Sequence, residues 1–445
     1  MKARAKLSLS LRAIALVAIL NAGFFLVLGF SAVLPTEVFK TRVRNAFATG
    51  QLNREVDYAG YNSEIGLHQY DDCTILQMLI NPGENWLHRA LGPIIYFQQH
   101  YLHACDTLYR LVHDPHAAEG LASFPYTRYW HGYYPLAALW LSQFGLKTVR
   151  LIFKASIYLA LLWLPFAAGF RDRVIFALAL SIAVTGLFFW GLPYYGQSLC
   201  HGPGDAVVIV GIGLFLALRN RTANPKWMIL FSAGFGAIVT FMEFLTGLLP
   251  TGASLLFIAA FMIRQRSSEV GPERNSLAFA WLALISFTAG SVLTVVFKQA
   301  LAAIFIGPQA ITAFSSSLAK YSASAEPPTA RLWLIIAALK QLLTSSNTLT
   351  GGNFKSALVL LALSAIAWSV AFLIVVFNRH SRFAVAQFTA FILSVSIIIV
   401  WVALLSSHTI QHSFFMSRML VIPVSLGWAS LSITLLTLKT KTRTG

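Results

Sequence analysis

Apolar runs of about twenty residues recur along the chain, each long enough to cross the hydrocarbon core of a bilayer as a helix. They fall at 13–34, 148–169, 174–192, 204–219, 227–243, 247–263, 277–297, 357–377, 383–405 and 419–437. One long hydrophilic segment, 35–147, separates the first run from the second. Two further stretches, Tyr133 to Phe144 and Leu332 to Leu343, are apolar over only 12 residues. That is short of the bilayer thickness, so both are expected as interfacial or re-entrant helices on the outer face. The pattern predicts an all-α polytopic membrane protein of about ten transmembrane helices, with a large first extracytoplasmic loop containing short helices. Residues 1–445 then form a single membrane-embedded domain, with 148–437 supplying the remaining spans and short loops.

Composition agrees: 57% hydrophobic and 11% charged residues exclude a conventional soluble enzyme of two or three domains. The net charge of +17 suggests nucleic acid at first sight. Its distribution argues otherwise, because 17 of the 33 basic residues lie in six short clusters flanking the apolar runs. These are Lys2, Arg4, Lys6 and Arg12; Arg171 and Arg173; Arg219, Arg221 and Lys226; Arg264, Arg266 and Arg274; Arg379 and Arg382; and Lys439, Lys441 and Arg443. Cytoplasmic loops carry that signature. No basic-aromatic recognition module accompanies it, so no nucleic acid is expected as a partner. The clusters place both termini and alternate loops inside, and Arg150 and Lys154 are expected to snorkel at the outer end of the second span. The first run is longer than a signal-peptide core and reads as an uncleaved span.

With the topology set, the titratable groups prove one-sided. Ten of the 16 acids lie between Glu37 and Glu119, and seven of the 11 histidines lie between His68 and His131. His201, His408 and His412 fall in other outer loops. Cys73 and Cys105 share the outer segment and can pair if it is extracytoplasmic, though two free thiols fit the spacing equally.

Several clusters carry candidate chemistry. In His68-Gln69-Tyr70-Asp71-Asp72-Cys73 adjacent carboxylates repel, which raises one pKa and suits a proton acceptor. The same pair equally suits a helix N-cap. Arg128-Tyr129-Trp130-His131 joins a cation and an imidazole, fit for phosphate, to aromatic faces fit for a sugar or headgroup. An interfacial aromatic belt is the competing reading. His201 and Asp205 sit in a short Gly and Pro-rich outer loop, where Asp205 suits a cap. Glu243 is an ionisable residue in an apolar setting, hence a candidate site residue or half of a structural ion pair. His408 and His412 stand at i, i+4, as a metal-binding helix pair would, but no third ligand and no HExxH motif accompany them. Arg418, at the mouth of the last span, suits a phosphate. Lys298 closes another span and suits either a phosphate or a snorkelling anchor.

An uncleaved first span, a large acid-bearing outer loop, about ten spans, and basic or histidine residues in later outer loops resemble the GT-C class of integral membrane glycosyltransferases. At residue level the resemblance rests on Asp71-Asp72, Arg128-Tyr129-Trp130-His131 and the loop from His408 to Arg418. It implies a polyprenyl-phosphate-linked sugar as donor and a cell-envelope glycan or lipid as acceptor. It also implies inverting transfer on the extracytoplasmic face, in a bacterial inner membrane with the site toward the periplasm or exterior. A carboxylate of the first outer loop would be the base, here among Asp57, Glu64, Asp71 and Asp72, with Asp71 or Asp72 preferred. Arg128, His131, Lys298 or Arg418 would stabilise the leaving phosphate, with Tyr129, Trp130, His201, Glu243, His408 and His412 as further substrate contacts. Some members use a divalent cation, so a metal is a possible cofactor with no assigned ligands. The rival readings are a transporter or flippase of a lipid-linked glycan and a ligase or polymerase that transfers the glycan whole.

Overall fold

The computed structural model describes residues 2–55, 69–81, 85–98, 103–192, 195–267, 274–322, 326–345, 354–377 and 382–441. Every long apolar run forms a helix: Lys2–Ala32, Leu146–Ala168, Arg173–Phe189, His201–Ala217, Pro225–Met242, Leu248–Ser267, Arg274–Phe305, Phe354–Phe377, Arg382–Leu404 and Val421–Lys441. Among the described residues, eight helical stretches are long and apolar enough to cross a membrane, while Arg173–Phe189 and His201–Ala217 are apolar but shorter. Large apolar side chains such as Leu26, Leu159 and Phe377 are 66–79% exposed on these helices. Only a hydrocarbon solvent makes such a surface favourable. The chain is therefore an all-α polytopic integral membrane protein.

Local chemistry sets the helix ends. Asp172 accepts from the backbone N–H groups of Val174 and Ile175, and Asn224 accepts from that of Lys226 with Pro225 at the first helical position. Small residues set the closest packing. A Cβ on Gly236 would lie 2.1 Å from the Phe287 carbonyl, and one on Gly290 would lie 2.0 Å from the Ala233 carbonyl. The Pro225–Met242 and Arg274–Phe305 helices thus meet backbone to backbone, as small residues permit in membranes.

The segment between the first two spans builds a cap from the helices Thr36–Ala48, Gln69–Ile80, Trp86–Leu91, Ala104–His113 and Tyr133–Gln143. Strand Ile94–Phe97 pairs antiparallel with Ala122–Pro125, Ile94 opposite Pro125 and Phe97 opposite Ala122. A disulfide between Cys73 and Cys105 ties the Gln69–Ile80 helix to the Ala104–His113 helix.

Two sequence expectations are revised, and one apolar stretch proves part of a longer helix. The helix begun at Arg274 continues to Phe305, through Lys298, because Lys298 is not an anchor reaching for water. It is 1% exposed, donates to the Leu91 carbonyl and lies 5.4 Å from the Trp130 ring centroid. Arg150 does not snorkel: it is 4% exposed and pairs with Asp72. The apolar stretch from Leu332 lies in an 18-residue helix, Pro328–Ser345, on which Leu332 and Trp333 are 59% and 70% exposed.

Candidate functional site

Adjacent residues on a helix point about 100° apart, so Asp71 and Asp72 cannot share surroundings. Asp72 faces inward and is 1% exposed. Its Oδ2 accepts from Arg150 Nε at 2.8 Å and lies 2.6 Å from Nη2, while Oδ1 accepts from the Leu199 N–H at 2.7 Å. Both oxygens are taken by internal donors. Asp72 therefore joins the Gln69–Ile80 helix to the Leu146–Ala168 helix and pins the loop that leads into Cys200 and His201.

Asp71 faces the other way, with its side chain 24% exposed. It opens onto a cavity of about 340 Å³ shared by the cap, the Cys200–His201 turn, the Glu243–Thr246 turn and the Ser406–Gln411 helix. Behind Asp71 runs a series of charges of alternating sign. His201 Nε2 lies 3.0 Å from Asp71 Oδ2 and Nδ1 lies 3.0 Å from Glu243 Oε1. Arg418 Nη2 donates to Glu243 Oε1 at 2.6 Å, and Nη1 donates to Asp205 Oδ1 at 2.7 Å. Thr246 adds its carbonyl and hydroxyl to Nη2 at 2.8 and 2.9 Å. Burial pushes the Glu243 carboxyl up, but Arg418 and His201 outweigh it and hold the group below its ordinary value. A carboxylate at each ring nitrogen suits a doubly protonated His201, since both oxygens accept. Every member of the series sits at or near a helix end: Asp71 in a first turn, His201 and Asp205 opening a helix, Glu243 as a C-cap, and Arg418 just before the last helix.

The same cavity is lined by two cations, Arg128 and Lys320, and by Tyr129, Tyr133 and Tyr321. Arg128 Nη1 is 3.4 Å from the Tyr321 hydroxyl, and its guanidinium lies 5.6 Å from the Tyr126 ring. His408 and His412 complete the wall, their rings 4.5 Å apart. His408 is 3% exposed, and among the described residues neither of its ring nitrogens has a hydrogen-bond partner. Burial, with His412 beside it, holds His408 well below the ordinary imidazole value, so it is neutral.

Seven candidates from the sequence thus line one cavity: Asp71, Arg128, Tyr129, His201, Glu243, His408 and His412. Five do not, and each has a structural occupation. Asp72 is locked to Arg150. Trp130 is 1% exposed and donates to the Thr294 carbonyl at 3.1 Å. His131 Nε2 lies 3.0 Å from the Tyr126 carbonyl, which can only accept, so Nδ1 accepts from the Tyr133 hydroxyl at 2.9 Å. Burial pushes His131 down to about 3, which leaves it neutral and unsuited to bind phosphate. Lys298 holds the Leu91 carbonyl, and Arg418 is fully buried behind Glu243. Asp57 and Glu64, the alternative carboxylates, lie outside the described residues, as does His68.

Cys200, Tyr133, Lys320 and Tyr321 were not singled out from the sequence. For Cys200 the adjacency to His201 was the available signal. Among the described residues, Asp71, Cys200 and His201 bring metal-ligand atoms together, all within 4.8 Å of one another. The His408 and His412 pair gathers no third donor of this kind among the described residues. Compared with known proteins, the chain matches no family model, no curated sequence and no solved structure.

Proposed function

We propose that the protein is a membrane glycosyltransferase that moves a sugar from a polyprenyl-phosphate donor to a glycan or lipid acceptor on the extracytoplasmic face. The observation that carries this reading is the mixed polarity of the cavity lining: a carboxylate backed by His201 and two cations, Arg128 and Lys320, all face the same space. Inverting glycosyl transfer needs those two functions on opposite sides of an anomeric carbon. The acceptor hydroxyl attacks as Asp71 takes its proton. The new carbon–oxygen bond forms while the bond to the leaving phosphate oxygen breaks, and that oxygen keeps the electron pair. Arg128 and Lys320 offset the charge developing there. Tyr129, Tyr133 and Phe415 offer ring faces and hydroxyls for the sugar.

Two further observations support the setting. The Cys73–Cys105 disulfide suits an oxidising compartment, which favours the extracytoplasmic side for the cap. An apolar groove of about 690 Å³ runs between the Lys2–Ala32, His201–Ala217 and Pro225–Met242 helices. Its Ala206 and Val207 end lies within two helical turns of His201, a suitable bed for a prenyl chain whose phosphate enters the cavity. A carrier would instead be expected to hold its polar groups near the bilayer midplane on broken helices. Here they gather at helix ends.

The test is transfer by purified protein from a polyprenyl-phosphate sugar, comparing wild type with Asp71→Asn. The expected result is a loss of about 10²–10⁴-fold in kcat, the worth of a positioned general base. Wild-type turnover by the variant would refute the assignment of Asp71.

A further inference from the structure

We infer that Asp71, Cys200 and His201 form a binding site for a borderline-to-soft divalent transition metal, Zn²⁺ or Co²⁺ in class, and not for Mg²⁺ or Ca²⁺. The inference concerns the same cavity and takes the proposed transfer reaction as its functional background. One oxygen, one sulfur and one nitrogen donor converge within 4.8 Å, and all three residues line the cavity. Three protein ligands with a fourth position open to a substrate-sized space is the arrangement of catalytic rather than structural zinc sites. Thiolate and imidazole donors select zinc-class ions, whereas magnesium and calcium take oxygen almost exclusively.

The surroundings are those of a ligating histidine. Such a ring ordinarily gives its second nitrogen to a carboxylate that fixes its orientation. Glu243 Oε1 fills that place 3.0 Å from His201 Nδ1, and Arg418 clamps Glu243 from behind at 2.6 Å. Cys200 is fixed by its neighbour, since the Leu199 N–H is held by Asp72 at 2.7 Å. A metal would take the position of the proton shared by His201 Nε2 and Asp71 Oδ2. Loading therefore releases that proton and the Cys200 thiol proton to solvent. It also occupies Asp71, so the metal-bound and proton-accepting states of this carboxylate exclude each other.

Cysteine chemistry makes the test clean. The chain has three cysteines, Cys73 and Cys105 are joined, and Cys200 is the remaining thiol. Chelator-stripped full-length protein in detergent is titrated with Co²⁺. The expected result is a thiolate-to-cobalt charge-transfer band in the near ultraviolet at one equivalent, lost in Cys200→Ser and unaffected by excess Mg²⁺. Glu243→Gln should weaken Co²⁺ binding about 10–100-fold, the usual effect of losing a carboxylate behind a ligating histidine. Zn²⁺ should also slow maleimide alkylation of Cys200 in the wild type, a readout that needs no variant to fold. A missing band, a band that survives Cys200→Ser, displacement by Mg²⁺, or alkylation indifferent to Zn²⁺ would each overturn the site. The optical readout is separate from turnover. A chain without transferase activity that shows the Cys200-dependent band keeps the metal site and loses the proposed reaction; an active chain without the band does the reverse.

Discussion

Replacing Asp72 by asparagine and Asp71 by asparagine should produce opposite phenotypes, although the two residues are adjacent and chemically identical. Asp72 and Arg150 have side chains 1% and 5% exposed. Removing one charge of such a pair strands the other in a low-dielectric interior, which costs about 3–5 kcal/mol. The amide introduced by Asp72→Asn retains an oxygen for the Leu199 N–H, so the loss is chiefly that of the ion pair. Asp71 has no such structural duty: its side chain is 24% exposed, and the amide introduced by Asp71→Asn can still accept a hydrogen bond from His201. Its stability cost should stay near that of one hydrogen bond, about 0.5–1.5 kcal/mol. The assay is thermal unfolding in detergent followed by intrinsic tryptophan fluorescence. Asp72→Asn should lower the midpoint sharply and Asp71→Asn only slightly. The double variant Asp72→Asn with Arg150→Met should regain most of the loss, because removing both charges of a buried pair is often close to neutral. Turnover should follow the other order, severely impaired in Asp71→Asn and restored with stability in the double variant. Equal destabilisation by both single changes, or a double variant that folds but remains inactive, would refute the division of labour.

Other outcomes follow from the same geometry. Arg128→Ala and Lys320→Ala should each raise KM for an anionic lipid donor about 10–100-fold, the equivalent of about 1.5–3 kcal/mol for a hydrogen bond to a charged group, with little change in unfolding midpoint. Unchanged KM in both would remove them as phosphate contacts. His131 carries a pH signature: its folded value, about 3, lies below the unfolded value of about 6.5. Its contribution is fully present above about pH 6.5, falls by about 1.4 kcal/mol per pH unit below that, and levels off near pH 3. Unfolding midpoints of wild type and His131→Asn between pH 7 and pH 4 should therefore converge as pH falls; parallel curves would contradict burial of a neutral ring. Removing the Cys73–Cys105 bond, which spans 32 residues, should cost about 3–4 kcal/mol on loop-entropy grounds, read as a lower unfolding midpoint in Cys73→Ser with Cys105→Ser.

Apolar length was a reliable guide to this fold because lipid leaves a spanning segment little choice but to be helical. Each of the ten runs corresponds to a helix, and both 12-residue stretches do as well. Boundaries were less legible where a charge found an internal partner. The helix through Lys298 runs on because a carbonyl and an indole receive the ammonium, and both lie far away in sequence. The same reason limited the site. That Asp71 and Asp72 must diverge follows from helix geometry, but which one meets Arg150, 78 residues away, depends on how two helices pack. Arg418 had the right chemistry for phosphate; Glu243 and Asp205 had prior claim on it. His201 and Glu243 were legible because ionisable groups beside apolar runs require partners, and here those partners are largely one another.

The alternating charges behind Asp71 also bear on how the protein is made. Asp71, His201, Asp205 and Glu243 emerge from the ribosome well before Arg418, which arrives at the threshold of the last helix. Until Arg418 is in place, Asp205 lacks its cation and Glu243 keeps only His201. The C-terminal span therefore acts as the closing stitch of biogenesis. A chain stopped before it would leave this network of charges incomplete.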